Sequence, residues 1–220
     1  MHKPIGRPPG VNSETTRSGV LRAARACFAE YGYAKTTMRM IAVAAGVTPA
    51  TVHFHFTDKR GVFLVAYDEV DTEVITRYRE AVAGHETFRG KVTALLEESL
   101  LLMHDNPDLG GFVAGAPTEI RRHEELAQAR AAENKYRDLY AELADFGCLT
   151  GEVAKKDRFA VRGCLAVVIN GLTQAAVNTS YLQHAEIIHG IERLLDGSLI
   201  TPAPAKAVKA TKGRRSAAAR

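Results

Sequence analysis

The sequence predicts an all-α fold: a three-helix N-terminal head containing a helix-turn-helix, joined through a long helix to a larger C-terminal helical body. Three observations carry this. Apolar residues recur at helical spacing from about residue 20 to residue 195, without an alternating strand pattern of useful length. Glycine, Asn-Pro and Ser/Thr/Asp punctuation cuts that stretch into helix-length pieces. Near the N-terminus two of the pieces are separated by only a tight turn at Gly46, and the second is about two turns long.

Residues 1–13 hold a Pro-rich basic segment, expected to be a flexible arm. A first helix follows, capped by Ser13 or Thr15, with Val20, Leu21, Ala24, Cys27, Phe28 and Tyr31 on one face and Gly32 as its stop. A second helix starts at Thr36 or Thr37 and buries Met38, Ile41, Ala42 and Ala45. Gly46 then permits a turn through positive φ, and Val47 plugs the gap after it. Thr48 caps the third helix, and Pro49 occupies its first position, where a missing N–H breaks no helical bond. Thr57 or Asp58 caps a long fourth helix whose stripe is Val62, Phe63, Ala66, Tyr67, Val70, Val74 and Tyr78, ending near Gly84. Residues 86–105 form a fifth helix ended by Asn106-Pro107. Leu109–Pro117 is weakly patterned and read as a short helix, and a periodic stretch runs from Thr118 to Phe146, breaking near His123 and closing at Gly147. Asp157 caps a helix through Tyr181, and Ala185–Leu195 form the last helix, stopped by Gly197. The expected domains are thus a basic arm (1–13), a head (14–60), a helical body (61–200) and a basic disordered tail (201–220).

The net charge of +4 is unevenly spread. Residues 1–60 carry nine Lys/Arg against three Asp/Glu, residues 61–200 fourteen against twenty-two, and residues 201–220 six against none. A basic head on an acidic body suits a nucleic-acid-binding module on a separate regulatory unit, because phosphates dominate such affinity. Solvated tails give the same balance, so the motifs must decide. Three widely spaced cysteines, Cys27, Cys148 and Cys164, fit free thiols rather than a disulfide or zinc framework. No metal or cofactor site is expected. His53 and His55 lie two apart and point to different sides of a helix. The Gly110-Gly111 run follows no strand and lacks the Lys-Ser/Thr ending of a phosphate loop. Hydrolase and metalloprotease motifs are also missing, so the chain is read as a non-enzyme. No signal-peptide-like apolar region and no run of 18 apolar residues occurs, which predicts a cytoplasmic protein off the membrane.

The run from Thr36 to Lys59, together with the first helix and the early fourth, resembles the DNA-binding domain of the tetracycline-repressor (TetR) family over roughly residues 14–66. The resemblance implies a sequence-specific transcriptional regulator of bacterial, nucleoid-associated type, a repressor that leaves a palindromic operator when a small molecule binds the C-terminal domain. It implies that Thr37 and Arg39 contact phosphates, or a base in the case of Arg39. Thr48, Pro49, Ala50, Thr51 and Phe54 would face the groove, and His55 and Lys59 would touch phosphates. His53 departs from the family's usual Tyr, yet retains a donor for the same contact. In the arm, Arg7 within Gly6-Arg7-Pro8 has the centre of a minor-groove hook.

For the C-terminal domain the resemblance implies a ligand-sensing and dimerising bundle built from the last two helices of each subunit. Gly163, Val167, Gly171 and Ala175 form a small-residue face, and Ile188, Ile191 and Leu195 need burial; these are the expected homodimer contacts. Asn170 and Gln174, on an otherwise apolar helix, and Ser99, Met103, His104, Phe112, Tyr136 and Tyr140 are the expected ligand contacts. An architectural DNA-coating protein using both basic ends is the competing reading; it predicts long footprints without sequence preference. Activation in place of repression is compatible with the same residues.

Overall fold

The computed structural model describes residues 13–199; the arm with Arg7 and the basic tail lie outside the described residues. The described residues form nine α-helices, two 3₁₀ segments and no strand. The head comprises α1 (Ser13–Lys35), α2 (Met38–Ala44) and α3 (Pro49–His55), and α4 (Lys59–Ala83) leads from it into the body. The body adds α5 (Phe88–Asp105), α6 (Pro107–Arg122), a 3₁₀ segment (Glu124–Ala132), α7 (Glu133–Thr150), α8 (Arg158–Ala176) and α9 (Tyr181–Leu195).

Local chemistry sets the head. Thr37 Oγ1 accepts from Met40 N, Thr48 Oγ1 from Thr51 N and Asp58 Oδ1 from Gly61 N, so α2, α3 and α4 each begin on a side-chain cap. Helix α2 ends in a Schellman turn: Gly46 N–H donates to Val43 O, Val47 N–H donates to Ala42 O, and Gly46 sits at φ +66°. The break in α1 also needs its glycine, Gly32, at φ +74°. That break reverses one expectation. Tyr31 is 43% exposed, whereas Tyr33, beyond the kink, is buried. Thr36 stitches the kink shut through its hydroxyl, which donates to Cys27 O or Gly32 O.

One core runs through head and body. Phe28 and Tyr33 of α1, Phe63 and Tyr67 of α4, and Phe112 of α6 form a continuous aromatic cluster, with Phe28–Phe63 and Phe63–Phe112 centroids 5.1 and 5.4 Å apart, edge to face. Each such ring removed from water contributes on the order of 2–3 kcal/mol. Gly111 lets α6 lie on α1: a Cβ there would stand 3.1 Å from Ala29 Cβ. The head is therefore packed on α6 as well as covalently continued by α4.

Four helix boundaries in the body differ from those the sequence predicts. Helix α6 runs straight through Pro117 rather than stopping there, and the break comes at His123. Gly147 does not close α7. It lies inside the helix, where a Cβ would meet Val153 Cγ2 at 2.6 Å and the Phe88 ring at 2.9 Å, and the positive-φ residue that follows the helix is Gly151. Helix α8 ends at Ala176, where Thr179 Oγ1 donates to Ala175 O. Helix α9 then starts at Tyr181 on a Ser180–Gln183 capping box, four residues earlier than expected.

Candidate nucleic-acid interface

The turn at Gly46 presents α3 on the outside of the head. Its inner anchors are Val52 and Phe56, both buried, while Thr48, Pro49, Ala50, His53 and Phe54 are exposed. Thr37 and Arg39 are exposed on the adjoining end of α2, and Thr51 and His55 are half-buried. These residues share one face, at the place where the second helix of a helix-turn-helix enters a major groove. Phe54 is 80% exposed, and Val43 of α2 is 74% exposed. Val43 was missed in the sequence, where its only cue is that it lies off the buried stripe of α2.

Lys59 does not stand with this group. Its ammonium turns inward and donates to Tyr33 O at 2.8 Å and Ala34 O at 3.3 Å, lying 4.4 Å from the centre of the Tyr33 ring. The carbonyls freed where α1 breaks at Gly32 attract the ammonium, which clamps α4 to the α1–α2 junction. The sequence leads to a free, phosphate-contacting ammonium; in the structure the Lys59 ammonium is instead engaged within the head.

Residues of α4 to α8 line a cleft of about 610 Å³ that is partly open to solvent. Helix α4 contributes Tyr67, Val70, Asp71, Val74 and Tyr78 to its wall, and α7 contributes Tyr136, Arg137 and Tyr140. Met103 enters from α5, Pro117 and Arg121 from α6, and Arg162, Ile169, Asn170 and Gln174 from α8. Five expected ligand contacts therefore meet there: Met103, Tyr136, Tyr140, Asn170 and Gln174. Three do not. Ser99 is buried with its hydroxyl on Leu96 O, Phe112 is locked in the aromatic core, and His104 packs on Tyr181 at 4.6 Å. Asn170, Gln174 and the three arginines give the wall polar groups, and Gln174 Nε2 donates to Ala114 O across to α6.

Asp71 is the wall residue that sequence reasoning overlooked. It is buried, with Lys135 Nζ 2.7 Å from its Oδ2, while Oδ1 has no well-formed hydrogen bond. The Tyr136 phenol lies beside it and is driven strongly upward in pKa, first by burial and then by the Asp71 charge. Burial also drives Tyr78 upward, so these phenols stay neutral donors throughout the physiological range.

Helix α6 joins the cavity to the head. Val113, Pro117 and Arg121 line the cavity, while Glu119 and His123 reach the kink of α1. Glu119 Oε1 would stand 3.2 Å from a Cβ at Gly32, and the His123 ring is 4.9 Å from that of Tyr33. The Tyr33 phenol is raised to about 12 by burial and by its hydrogen bond to Glu125. Arg60, at the start of α4, donates to Glu125 O and Gln128 Oε1, both at 2.7 Å. Helix α6 and the following 3₁₀ segment therefore touch both the cleft wall and the base of the head.

The expected dimer residues divide. Val167 is 72% exposed, Gly163 and Gly171 are exposed, and Leu195 is 57% exposed, with Leu182 at 73% and Leu194 at 49% beside them in the α8–α9 region. Ala175 and Ile191 are half-buried. Ile188 is buried inside its own subunit, so it supports α9 rather than offering a surface. Gly163 also lines the cavity. The helical stretch Lys155–Ala176 is long and apolar enough to cross a membrane by length and composition, with little of it buried.

Comparison with known proteins agrees with this geometry. Residues 20–66 match the family model of bacterial regulatory proteins of the tetR family. The chain is 39% identical over 80 residues to the HTH-type transcriptional repressor Rv1474c of Mycobacterium tuberculosis, a match spanning 36% of this chain and 40% of that protein. It is 38% identical over 55 residues to the repressor AcnR of Corynebacterium glutamicum, 25% of this chain and 29% of that protein. The matched part is thus about two fifths or less of these relatives' length. Among solved structures, FadR of Bacillus subtilis in complex with stearoyl-CoA superposes with a TM-score of 0.69 at 18% identity, covering 83% of this chain and 99% of that one. Salmonella enterica GusR superposes with a TM-score of 0.63 at 23% identity, covering 90% and 99%. At these identities the likeness establishes a common fold.

Proposed function

The head of this chain belongs to the TetR family of bacterial regulatory proteins, and from that premise we propose that the protein is a homodimeric, sequence-specific repressor released from a palindromic operator by a small molecule. One observation carries the reading: α3 is fixed by a Schellman turn, a threonine cap and two buried anchors, yet turns Pro49, Ala50, His53 and Phe54 to solvent. Such a helix has no packing role on its outer face and fits a major groove. Two repressors among the sequence relatives favour repression over activation.

Dimerisation follows from the exposed apolar residues of α8 and α9. A second copy covers them and sets two heads on half-sites about 34–36 Å apart. The same covering accounts for the apolar surface of α8 in a cytoplasmic protein that does not span a membrane. The effector occupies the cavity between α4 and α8. The stearoyl-CoA complex of the structurally similar FadR supports a small-molecule site in this fold. The link through α6 to Gly32, Tyr33 and Arg60 supplies a route by which binding favours a head arrangement that no longer fits both half-sites.

The test is binding of the full chain to duplexes enriched from genomic fragments, against random duplex at physiological salt. The reading predicts at least about 1,000-fold preference for the enriched duplex. Equal affinity for both would overturn it.

A further inference from the structure

Resting on the DNA-binding reading above, we propose that the head selects its operator chiefly by apolar contact with thymine C5-methyl groups, with the Phe54 ring as the specificity-determining side chain. Among the seven residues of α3, Pro49 to His55, there is no Arg, Lys, Asn, Gln, Asp or Glu. Those side chains make the paired hydrogen bonds that distinguish guanine, adenine and cytosine edges in the major groove.

The polar groups that α3 does carry are largely engaged within the protein. The Thr48 and Thr51 hydroxyls bond to each other at 2.9 Å, and Thr48 Oγ1 also accepts from Thr51 N. His53 Nδ1 faces Thr57 O at 3.4 Å. The His55 ring is wedged between Phe54 and Phe56, at centroid distances of 5.1 and 6.3 Å. Outward with Pro49 and the His53 ring, whose Nδ1 faces Thr57 O, are the apolar Ala50 methyl, the Phe54 ring and, from α2, Val43. The Phe54 ring stands edge to face with His55 at 5.1 Å and is otherwise largely open to solvent.

An outward apolar face on a groove-binding helix has one apolar group to meet on a base edge, the methyl of thymine. The occupant is therefore a half-site with thymines beneath α3. Arg39, exposed on α2, is left for phosphate or for a guanine at the border of that half-site.

The experiment replaces thymines one at a time by deoxyuridine in an enriched duplex. This removes only the C5-methyl and keeps the pairing edge and O4. Affinity of the full chain is read by fluorescence anisotropy for the wild type, Phe54→Ala and Phe54→Leu. Phe54 is 80% exposed, so neither variant is expected to unfold, and thermal melting confirms it. The proposal predicts that deoxyuridine at one position per half-site weakens wild-type binding about four-fold for each buried methyl. The same replacement leaves Phe54→Ala unaffected, and Phe54→Leu retains part of the penalty. Deoxyuridine penalties equal in wild type and Phe54→Ala, or no penalty at any thymine, would overturn the proposal while leaving sequence-specific binding intact. Failure to enrich any duplex would instead overturn the DNA-binding reading on which it rests.

Discussion

Substituting Lys59 by Met separates two roles that this position can have on a DNA-binding head. Methionine keeps most of the aliphatic stem and deletes the ammonium. In the structure that ammonium serves Tyr33 O and Ala34 O and lies over the Tyr33 ring. Charged hydrogen bonds to backbone contribute about 1.5–3 kcal/mol when well buried. Lys59 is only half-buried, which reduces the pair to about 1–2 kcal/mol in total. The ring contact adds roughly 0.5 kcal/mol. Lys59→Met should therefore destabilise the fold by about 2 kcal/mol, a fall of roughly 4–8 °C in melting temperature for a chain of this size. On DNA, the plot of log affinity against log salt should shift down in parallel, because no phosphate contact is lost. If Lys59 instead bound a phosphate, the slope would fall by about 0.9 per head with the melting temperature unchanged. That second outcome would refute the assignment of Lys59 as a clamp.

Three further outcomes follow from the same structure. Gly147→Ala, which drives a Cβ into Val153 and Phe88, should destabilise by about 1–3 kcal/mol, whereas Gly115→Ala, with open space around its Cβ on α6, should stabilise slightly; denaturant melts compare the two. Burial lowers the His184 pKa below 6.5, so folding favours its neutral form; that stability is complete above about pH 6.5 and is lost as pH falls through the lowered value. His184→Gln should therefore flatten the fall in melting temperature between pH 7 and pH 5, and an unchanged profile would remove His184 from the account. Val167→Glu places a charge on the exposed apolar face of α8 and should convert the proposed dimer to monomer in analytical ultracentrifugation without lowering helix content; a dimer persisting in the variant would move the interface elsewhere.

The head was legible because its determinants are local. Thr37, Thr48 and Asp58 cap helices through neighbours three residues away, and Gly46 marks its own turn. The body was less legible because its determinants lie far along the chain. Gly147 looks like a stop until Phe88 and Val153 are known to press on it. Pro117 suggests an end to α6, yet the helix continues on contacts to α1 and α8. The cavity suffered in the same way. Asp71, Arg121, Arg137 and Arg162 carry no local cue to a site, since nothing adjacent in sequence shows that α4, α6, α7 and α8 converge on one space. Phe112, conversely, was taken for a ligand contact because its partners Phe28 and Phe63 are 84 and 49 residues away. The contacts of Lys59 are hidden for the same reason: the carbonyls its ammonium meets belong to residues 25 and 26 positions earlier.

The account turns on the claim that two copies of this head read one symmetric stretch of duplex DNA. Footprinting of the full chain on an enriched fragment at physiological salt tests that claim most directly. A short footprint with dyad symmetry is predicted, one that keeps its length as protein is added and disappears with Phe54→Ala at the same concentration. A footprint that lengthens with protein concentration, or that covers any fragment equally, would contradict it and favour a DNA-coating protein.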